Sequence, residues 1–378
     1  MEFALINGRI LTEAGIVEGN GVLVEDGRVR AIIPQDQLPV HIAKTDLKGA
    51  LLAPGFIDIQ VNGGGGVLFN DAPTVDTIAR IGRAHRQFGT TGFFPTLISD
   101  DLDNIENAIK AVDDAIAKGV PGVLGIHLEG PFLNAAKKGI HDSEKFLTLS
   151  PKHIKLLTSL KRGKTLITLA PENTTPEILG ALVEAGAIIS AGHTNATYTQ
   201  MHDALANGVT GFTHLFNAMT PMESREPGVV GAALEDQKSW CGIIVDGRHV
   251  SPITLKIALR CKPLSQFILV TDAMPTVGHH EDFFMLQGKK ITVKDGVCQS
   301  ADGTLAGSHL NMAQAVSNTI SLLNIAPEDA LNMASRNAAN FMGLGVTLGT
   351  IKPGQVASFV ALNGQFEVER VWINGEIS

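Results

Sequence analysis

The sequence predicts an α/β protein: a (β/α)8 TIM-like barrel with a small β-sandwich domain built from both termini. The two ends, residues 1–53 and 346–378, contain short apolar segments separated by turn pairs such as Asn7-Gly8 and Asn374-Gly375. Residues 54–345 instead alternate short apolar runs with longer amphipathic stretches, which is typical of βα units on a parallel sheet. Eight such runs suit a closed barrel, and a doubly wound open sheet of eight strands is the alternative.

The apolar runs of the middle segment define the predicted strands in chain order. They are Gly55–Val61, Gly92–Pro95, Val123–Leu128, Leu166–Leu169, Ala187–Ser190, Gly211–Thr213, Gly242–Val245 and Phe267–Val270. Amphipathic spacing between the runs predicts helices, of which the clearest are Thr74–Phe88, Asp103–Lys118, Pro176–Glu184 and Tyr198–Ala206.

Charge and cysteine usage exclude several classes of protein. The chain has 30 Lys and Arg against 38 Asp and Glu, a net charge of −8, and no basic block, which argues against a nucleic-acid partner. Its three cysteines form no Cys-x-x-Cys pair, which is typical of a reduced cytoplasmic protein. The N-terminus lacks the pattern of a signal peptide, and no run of 18 uncharged apolar residues predicts a membrane span.

Polar residues able to bind metals or carry protons follow most of the predicted strands. Because the carboxyl ends of barrel strands meet on one face, these residues are expected to form one active site. They are Gln60, Asn62, His127, Glu129, His193, His214, Asp246, His249 and Asp272.

The segments around these residues carry a family resemblance. PGFIDIQVNG begins at Pro54, HLEGPF at His127, AGHTNA at Ala191, THLFNAM at Thr213 and VTDAM at Val270. Together they resemble the amidohydrolase superfamily and, within it, the N-acetylglucosamine-6-phosphate deacetylases, in order along almost the whole chain. The resemblance implies metal-dependent hydrolysis of the acetamide of N-acetyl-D-glucosamine 6-phosphate to D-glucosamine 6-phosphate and acetate, in amino-sugar catabolism.

The resemblance places the metal on Glu129, His193 and His214. One carboxylate oxygen and two imidazole nitrogens suit Zn²⁺ with a fourth position open, and Fe²⁺, Co²⁺ or Ni²⁺ would also accept these ligands. Many amidohydrolases carry a His-x-His pair on the first strand for a second metal, but this chain has Gln60 and Asn62 there. Amides are poor zinc ligands, so we expect one metal ion per subunit.

The same resemblance assigns the remaining catalytic and substrate-binding roles. Asp272 is expected to shuttle the proton between water and the leaving amine, and His141 to assist the oxyanion. Arg225 and His249 match phosphate-binding positions, where arginine offers a planar fork of donors. The other matched substrate contacts are Ile140, Asn217, Ala218, Asp246, Leu305, Ala306 and Gly307.

Two other functions stay open on the sequence alone. In the first, the enzyme acts on a different N-acetylhexosamine 6-phosphate, such as N-acetylgalactosamine 6-phosphate. In the second, the chain is a catalytically inactive barrel that serves as a scaffold. Family members are commonly dimers, which predicts a homodimer or a higher homo-oligomer. The lack of a long apolar run predicts no membrane partner. His279-His280 are not assigned to the metal site, and His85 and His202 are expected to be surface residues of helices.

Overall fold

The computed structural model describes residues 2–378, and the first part of this range is β-rich, with one short 3-10 turn at Gln35–Gln37. Turn pairs with a left-handed residue, such as Asn7 at φ 55° and Asp26 at φ 49°, separate its strands. The strands are β1 (Glu2–Ile6), β2 (Arg9–Thr12), β3 (Gly15–Val17), β4 (Asn20–Glu25), β5 (Arg28–Pro34), β6 (Ala43–Asp46) and β7 (Leu51–Pro54).

Alternating strands and helices follow. In chain order they are β8 (Phe56–Val61), β9 (Gly63–Gly64), β10 (Val67–Leu68), α1 (Val75–Arg86), β11 (Thr90–Ile98), α2 (Leu102–Ala117), β12 (Gly125–Glu129), α3 (Pro151–Leu157), β13 (Lys164–Leu169), α4 (Pro176–Glu184), β14 (Ile188–Ala191), α5 (Tyr198–Ala206), β15 (Val209–Phe212), α6 (Gly228–Glu235), β16 (Trp240–Ile243), α7 (Pro252–Ala258) and β17 (Phe267–Leu269). Side-chain caps fix several helix starts; the Thr74 hydroxyl, for example, accepts from the Thr77 N–H at the start of α1.

Eight parallel strands form the barrel. The hydrogen-bonded order is β8-β11-β12-β13-β14-β15-β16-β17, which is also the chain order. The barrel closes where the carboxyl end of β8 meets the segment just beyond β17: Val61 and Ala273 form a parallel bridge, and the Asp272 N–H donates to the Gln60 carbonyl at 2.9 Å. The carboxyl ends of all eight strands therefore open on one face.

A β-hairpin sheet and the C-terminal elements complete the chain. The elements are β18 (Phe283–Leu286), β19 (Lys289–Lys294), β20 (Val297–Gln299), β21 (Leu305–Ser308), α8 (Met312–Leu323), α9 (Pro327–Met333), α10 (Arg336–Phe341), β22 (Phe359–Leu362), β23 (Val368–Ile373) and β24 (Glu376–Ile377). Strands β18 to β21 form a four-stranded antiparallel sheet between the eighth barrel strand and α8.

The two ends of the chain share a small β-rich domain. A sheet of order β24-β23-β22-β7-β2-β3 combines C-terminal and N-terminal strands, and a second sheet has the order β5-β4-β1-β6. Side chains of both sheets, including Leu5, Val22, Phe359 and Trp372, bury one common core.

The structure confirms the predicted fold class. Pro176–Glu184 and Tyr198–Ala206 are helices with the predicted bounds. The domain limits 53/54 and 345/346 stay predictions. His85 contradicts its expectation as a surface residue: the ring is fully buried, and Nε2 lies 2.9 Å from the Gly63 carbonyl. His202 is exposed, as predicted.

In residues 2–378, no helix combines the length and the apolar character that crossing a membrane requires. The three cysteines are free thiols; Cys241 and Cys298 are buried, and Cys261 is exposed.

Candidate metal centre and active site

Three barrel strands bring the predicted metal ligands together. Glu129 is the last residue of β12, His193 lies two residues beyond β14, and His214 lies two residues beyond β15. His193 and His214 have left-handed backbone at φ 48° and φ 34°, which costs free energy for residues other than glycine. Such strain is kept where a side chain has to point in a particular direction, and here both rings turn toward Glu129.

The three side chains converge on one point. Glu129 Oε1 lies 3.2 Å from His193 Nε2 and 3.0 Å from His214 Nε2, and the two Nε2 atoms are 3.1 Å apart. A tetrahedral zinc ion with bonds of 2.0–2.1 Å separates its ligand atoms by about 3.3 Å. The spacing of the donor atoms therefore fits a small divalent cation.

Protonation and charge also fit a cation at this point. His193 Nδ1 lies 2.8 Å from the Lys137 carbonyl, which only accepts, so Nδ1 carries the hydrogen and Nε2 is left with its lone pair. Burial opposes ionisation of Glu129, but its close contacts with the imidazoles of His193 and His214 hold the pKa of Glu129 well below its usual value. A buried carboxylate in this state requires a compensating positive charge.

Two amides occupy the place where a second metal would need ligands. Gln60 Nε2 lies 3.3 and 3.2 Å from the two Glu129 carboxylate oxygens and 3.2 Å from Asp272 Oδ1. Asn62 Nδ2 donates to the same Asp272 oxygen at 2.6 Å. Both amides thus offer N–H donors to the carboxylates, which supports a mononuclear centre.

Asp272 faces the metal ligands from the segment just after the eighth barrel strand, β17. Its backbone is left-handed at φ 53°, and both amide donors reach Oδ1, which leaves Oδ2 for a ligand. Burial, reinforced by the charge of Glu129, raises the pKa of Asp272 to about 6. A carboxyl group with this pKa exchanges a proton readily near neutral pH.

His141 lies beside the metal ligands in the loop after β12. Its ring centroid is 4.3 Å from that of His193, and its side chain is buried. Burial and the neighbouring His193 hold the pKa of His141 well below the usual range, so the ring is neutral. Nδ1 accepts from the Ser99 N–H at 3.4 Å, which places the hydrogen on Nε2 and makes that nitrogen a donor.

Glu172 is a part of the site that sequence reasoning missed. Its carboxylate accepts from Asn134 Nδ2 at 2.9 Å, from the Asn195 N–H at 2.6 Å and from the Thr194 hydroxyl at 2.5 Å. The Asn134 N–H in turn donates to the His193 carbonyl at 2.9 Å. Glu172 therefore ties together the two loops that hold His193, although it contacts no predicted ligand itself.

A cavity of about 400 Å³ opens over these groups, a size suited to a small-molecule ligand. Most of the predicted site residues line it, and so does Thr304 in the turn between β20 and β21. The predicted residues in the lining are Asn62, Glu129, Ile140, His141, His193, His214, Asn217, Ala218, His249, Asp272, Leu305 and Gly307.

Three predicted substrate contacts lie outside this lining. Arg225 is exposed in the loop before α6, and Ala306 is fully buried behind the cavity wall. Asp246 lies behind His249, whose Nδ1 is 2.6 Å from Asp246 Oδ2. Lys137, which the sequence analysis did not single out, is the one Lys or Arg among residues 2–378 that lines the cavity.

His279, His280 and Glu281 form a second group with ligand atoms within 4.8 Å of one another. The group is partly exposed, in the loop between the eighth barrel strand and the hairpin sheet. It adds no residue to the cavity lining.

The fold and the site together define an amidohydrolase. The sequence model of the amidohydrolase family matches residues 51–378, and that of the NagA composite domain matches residues 2–52. The chain belongs to the amidohydrolase family.

Relatives of known name are similar over their full length. An N-acetylgalactosamine-6-phosphate deacetylase of Shewanella sp. (strain ANA-3) is 40% identical over 100% of this chain and 96% of its own. An N-acetylglucosamine-6-phosphate deacetylase of Haemophilus influenzae is 35% identical over 100% of this chain and 99% of its own. The crystal structure of N-acetylglucosamine-6-phosphate deacetylase from Pasteurella multocida superposes with a TM-score of 0.97, at 35% identity and full coverage of both chains.

Proposed function

We propose that this chain hydrolyses the acetamide of N-acetyl-D-glucosamine 6-phosphate and releases acetate and D-glucosamine 6-phosphate. The observation that carries the proposal is the convergence of Glu129 Oε1 with the Nε2 atoms of His193 and His214 in a cavity that Asp272 and His141 also line. The names of the full-length relatives support the substrate class.

Glu129, His193 and His214 would hold one divalent metal ion. Zn²⁺ is the first candidate on ligand chemistry, and Fe²⁺, Co²⁺ or Ni²⁺ suit the same donors. When bound, such an ion supplies Lewis acidity to the acetamide carbonyl and to water.

Asp272 carries the proton in the proposed reaction. Its free Oδ2 accepts a proton from the attacking water as the new C–O bond forms at the acetyl carbon. The same proton then passes to the nitrogen while the C–N bond breaks, so that the amine leaves neutral. The raised pKa of Asp272, about 6, suits a group that takes and returns a proton.

His141 and His249 serve the two ends of the substrate. The Nε2–H of the neutral His141 donates to the carbonyl oxygen as negative charge develops there. His249, oriented by Asp246, lines the cavity and is proposed to bind the phosphate with Arg225. Arg225 would have to reach the phosphate from its exposed loop, and Lys137 offers a further cation at the cavity.

The remaining assignments complete the proposal. The sugar is contacted from the cavity wall by Ile140, Asn217, Ala218, Leu305 and Gly307. Ala306 holds its neighbours Leu305 and Gly307 in place.

We propose a homodimer or a higher homo-oligomer, which light scattering of the purified protein tests.

N-acetylgalactosamine 6-phosphate is the second candidate substrate. The 40% identical Shewanella relative carries that name, and the two sugars differ in the configuration of one hydroxyl group. Acetate release from both sugars, each with and without the 6-phosphate, tests the proposal and ranks the epimers. Absence of acetate from every phosphorylated sugar after metal loading would favour the inactive scaffold.

A further inference from the structure

Asn62 has one buried polar atom that the rest of the site does not use. The residue is fully buried directly after β8, and it lines the cavity. Its Nδ2 donates to Asp272 Oδ1 at 2.6 Å, whereas its Oδ1 has no hydrogen-bond partner within residues 2–378. A buried acceptor without a partner costs free energy, and at a cavity wall it indicates a contact with a ligand.

The orientation of the Asn62 amide follows from its neighbours. An ionised carboxylate only accepts, so the nitrogen of Asn62 has to face Asp272 and the oxygen has to face away. The backbone is engaged as well, since the Asn62 N–H donates to Ala273 at 3.0 Å and its carbonyl accepts from Phe69 at 2.9 Å. Neither the side chain nor the backbone can turn Oδ1 toward another protein donor without losing these bonds.

We propose that Asn62 Oδ1 accepts the hydrogen bond of the acetamide N–H and so positions the leaving nitrogen beside Asp272. The inference rests on the proposed function, in which Asp272 delivers a proton to this nitrogen as the C–N bond breaks. One amide then holds both partners of that transfer: its N–H fixes the carboxyl group, and its oxygen fixes the nitrogen. Asn62 is thereby a catalytic residue that binds the N–H group of the substrate.

An ester that lacks the N–H separates this role from support of Asp272. The two substrates are N-acetylglucosamine 6-phosphate and 2-O-acetylglucose 6-phosphate, with kcat/KM measured for the wild type and for Asn62→Leu. Loss of one hydrogen bond to a neutral donor lowers the ratio of amide to ester hydrolysis about two- to tenfold. Asn62→Ala, which removes the same oxygen with less bulk, should give the same fall in the ratio.

Gln60→Met is the matched control. Gln60 also donates to Asp272 Oδ1, at 3.2 Å, but it is not part of the cavity lining. This variant should slow both substrates to a similar extent and leave their ratio within twofold of the wild type. In both variants the pH profile of kcat/KM should shift upward, because a hydrogen bond to the carboxylate that lowers the Asp272 pKa is lost.

The outcomes separate the inference from the proposed function. An unchanged amide-to-ester ratio in Asn62→Leu and Asn62→Ala, with both proteins folded by circular dichroism, overturns the role of Asn62. An equal fall of the ratio in Gln60→Met also overturns it, because the effect would then act through Asp272. A wild-type protein that hydrolyses neither substrate contradicts the proposed function itself. As a readout independent of turnover, Asn62→Leu should weaken binding of the amide to the metal-free protein more than it weakens binding of the ester.

Discussion

Removal of the Glu172 carboxylate should weaken metal binding although the residue is no metal ligand. Glu172 accepts three hydrogen bonds from the loops that hold His193. A hydrogen bond to a charged group contributes about 1.5–3 kcal/mol. If Glu172→Ala leaves the ordered loop arrangement about 2 kcal/mol less stable than its disordered alternatives, the binding-competent fraction falls to about 3%, and the apparent Kd rises about 30-fold. This value lies within the 10- to 100-fold range typical of groups that orient metal ligands.

The assay is competition for Zn²⁺ between the metal-free protein and a chromogenic chelator at fixed pH. Glu177→Ala is the matched control, because Glu177 lies on the exposed surface of α4 in the same segment. Glu172→Gln keeps one acceptor oxygen and should recover most of the affinity. Wild-type affinity in Glu172→Ala would refute the reasoning. So would a loss of affinity that merely follows unfolding of the metal-free variant in thermal melts.

Three further predictions concern the proton carrier, the phosphate and the barrel core. Asp272→Asn should keep the fold and the metal but lower kcat by about 10²- to 10⁴-fold, and near-normal turnover at full metal occupancy would remove Asp272 from the mechanism. Arg225→Ala should raise KM for the phosphorylated sugar about tenfold or more and spare the unphosphorylated sugar, whereas equal effects on both would make the residue structural. Burial raises the pKa of Asp58 from 3.8 to about 7. Between these values the folded protein keeps a proton on Asp58 that the unfolded chain loses, so the free energy of unfolding of the protein falls as pH rises from 4 to 7. Asp58→Asn should therefore gain up to about 4 kcal/mol relative to the wild type over this range in urea melts, and a pH-independent difference would contradict the assignment.

The barrel and its ligand set could be predicted because they depend on local patterns. Each barrel strand is a short apolar run, and the residue types that bind metals follow those runs directly. Parallel topology then brings Glu129, His193 and His214 to one face without any further information. The sequence motifs around these residues indicated the family, and the resemblance to the family predicted the roles of Asp272 and His141.

Tertiary packing determines what sequence patterns missed. Glu172 follows a strand that supplies no metal ligand, and its partners lie on other loops. His85 has the spacing of a helix surface, yet the loop after the first barrel strand covers it, with Gly63 accepting from its ring. The position of Arg225 outside the cavity lining depends on the path of an exposed loop, which no periodicity encodes.

The most direct test of the account is a titration of metal-free protein with Zn²⁺, in which metal content and acetate release are followed together. The protein carries His280→Ala, which removes a ligand of the partly exposed second group. Activity on the phosphorylated sugar should rise to its maximum at one equivalent per chain, and His193→Ala should abolish this rise. Full activity without any divalent ion, or activity that requires a second equivalent, would contradict a single metal held by Glu129, His193 and His214.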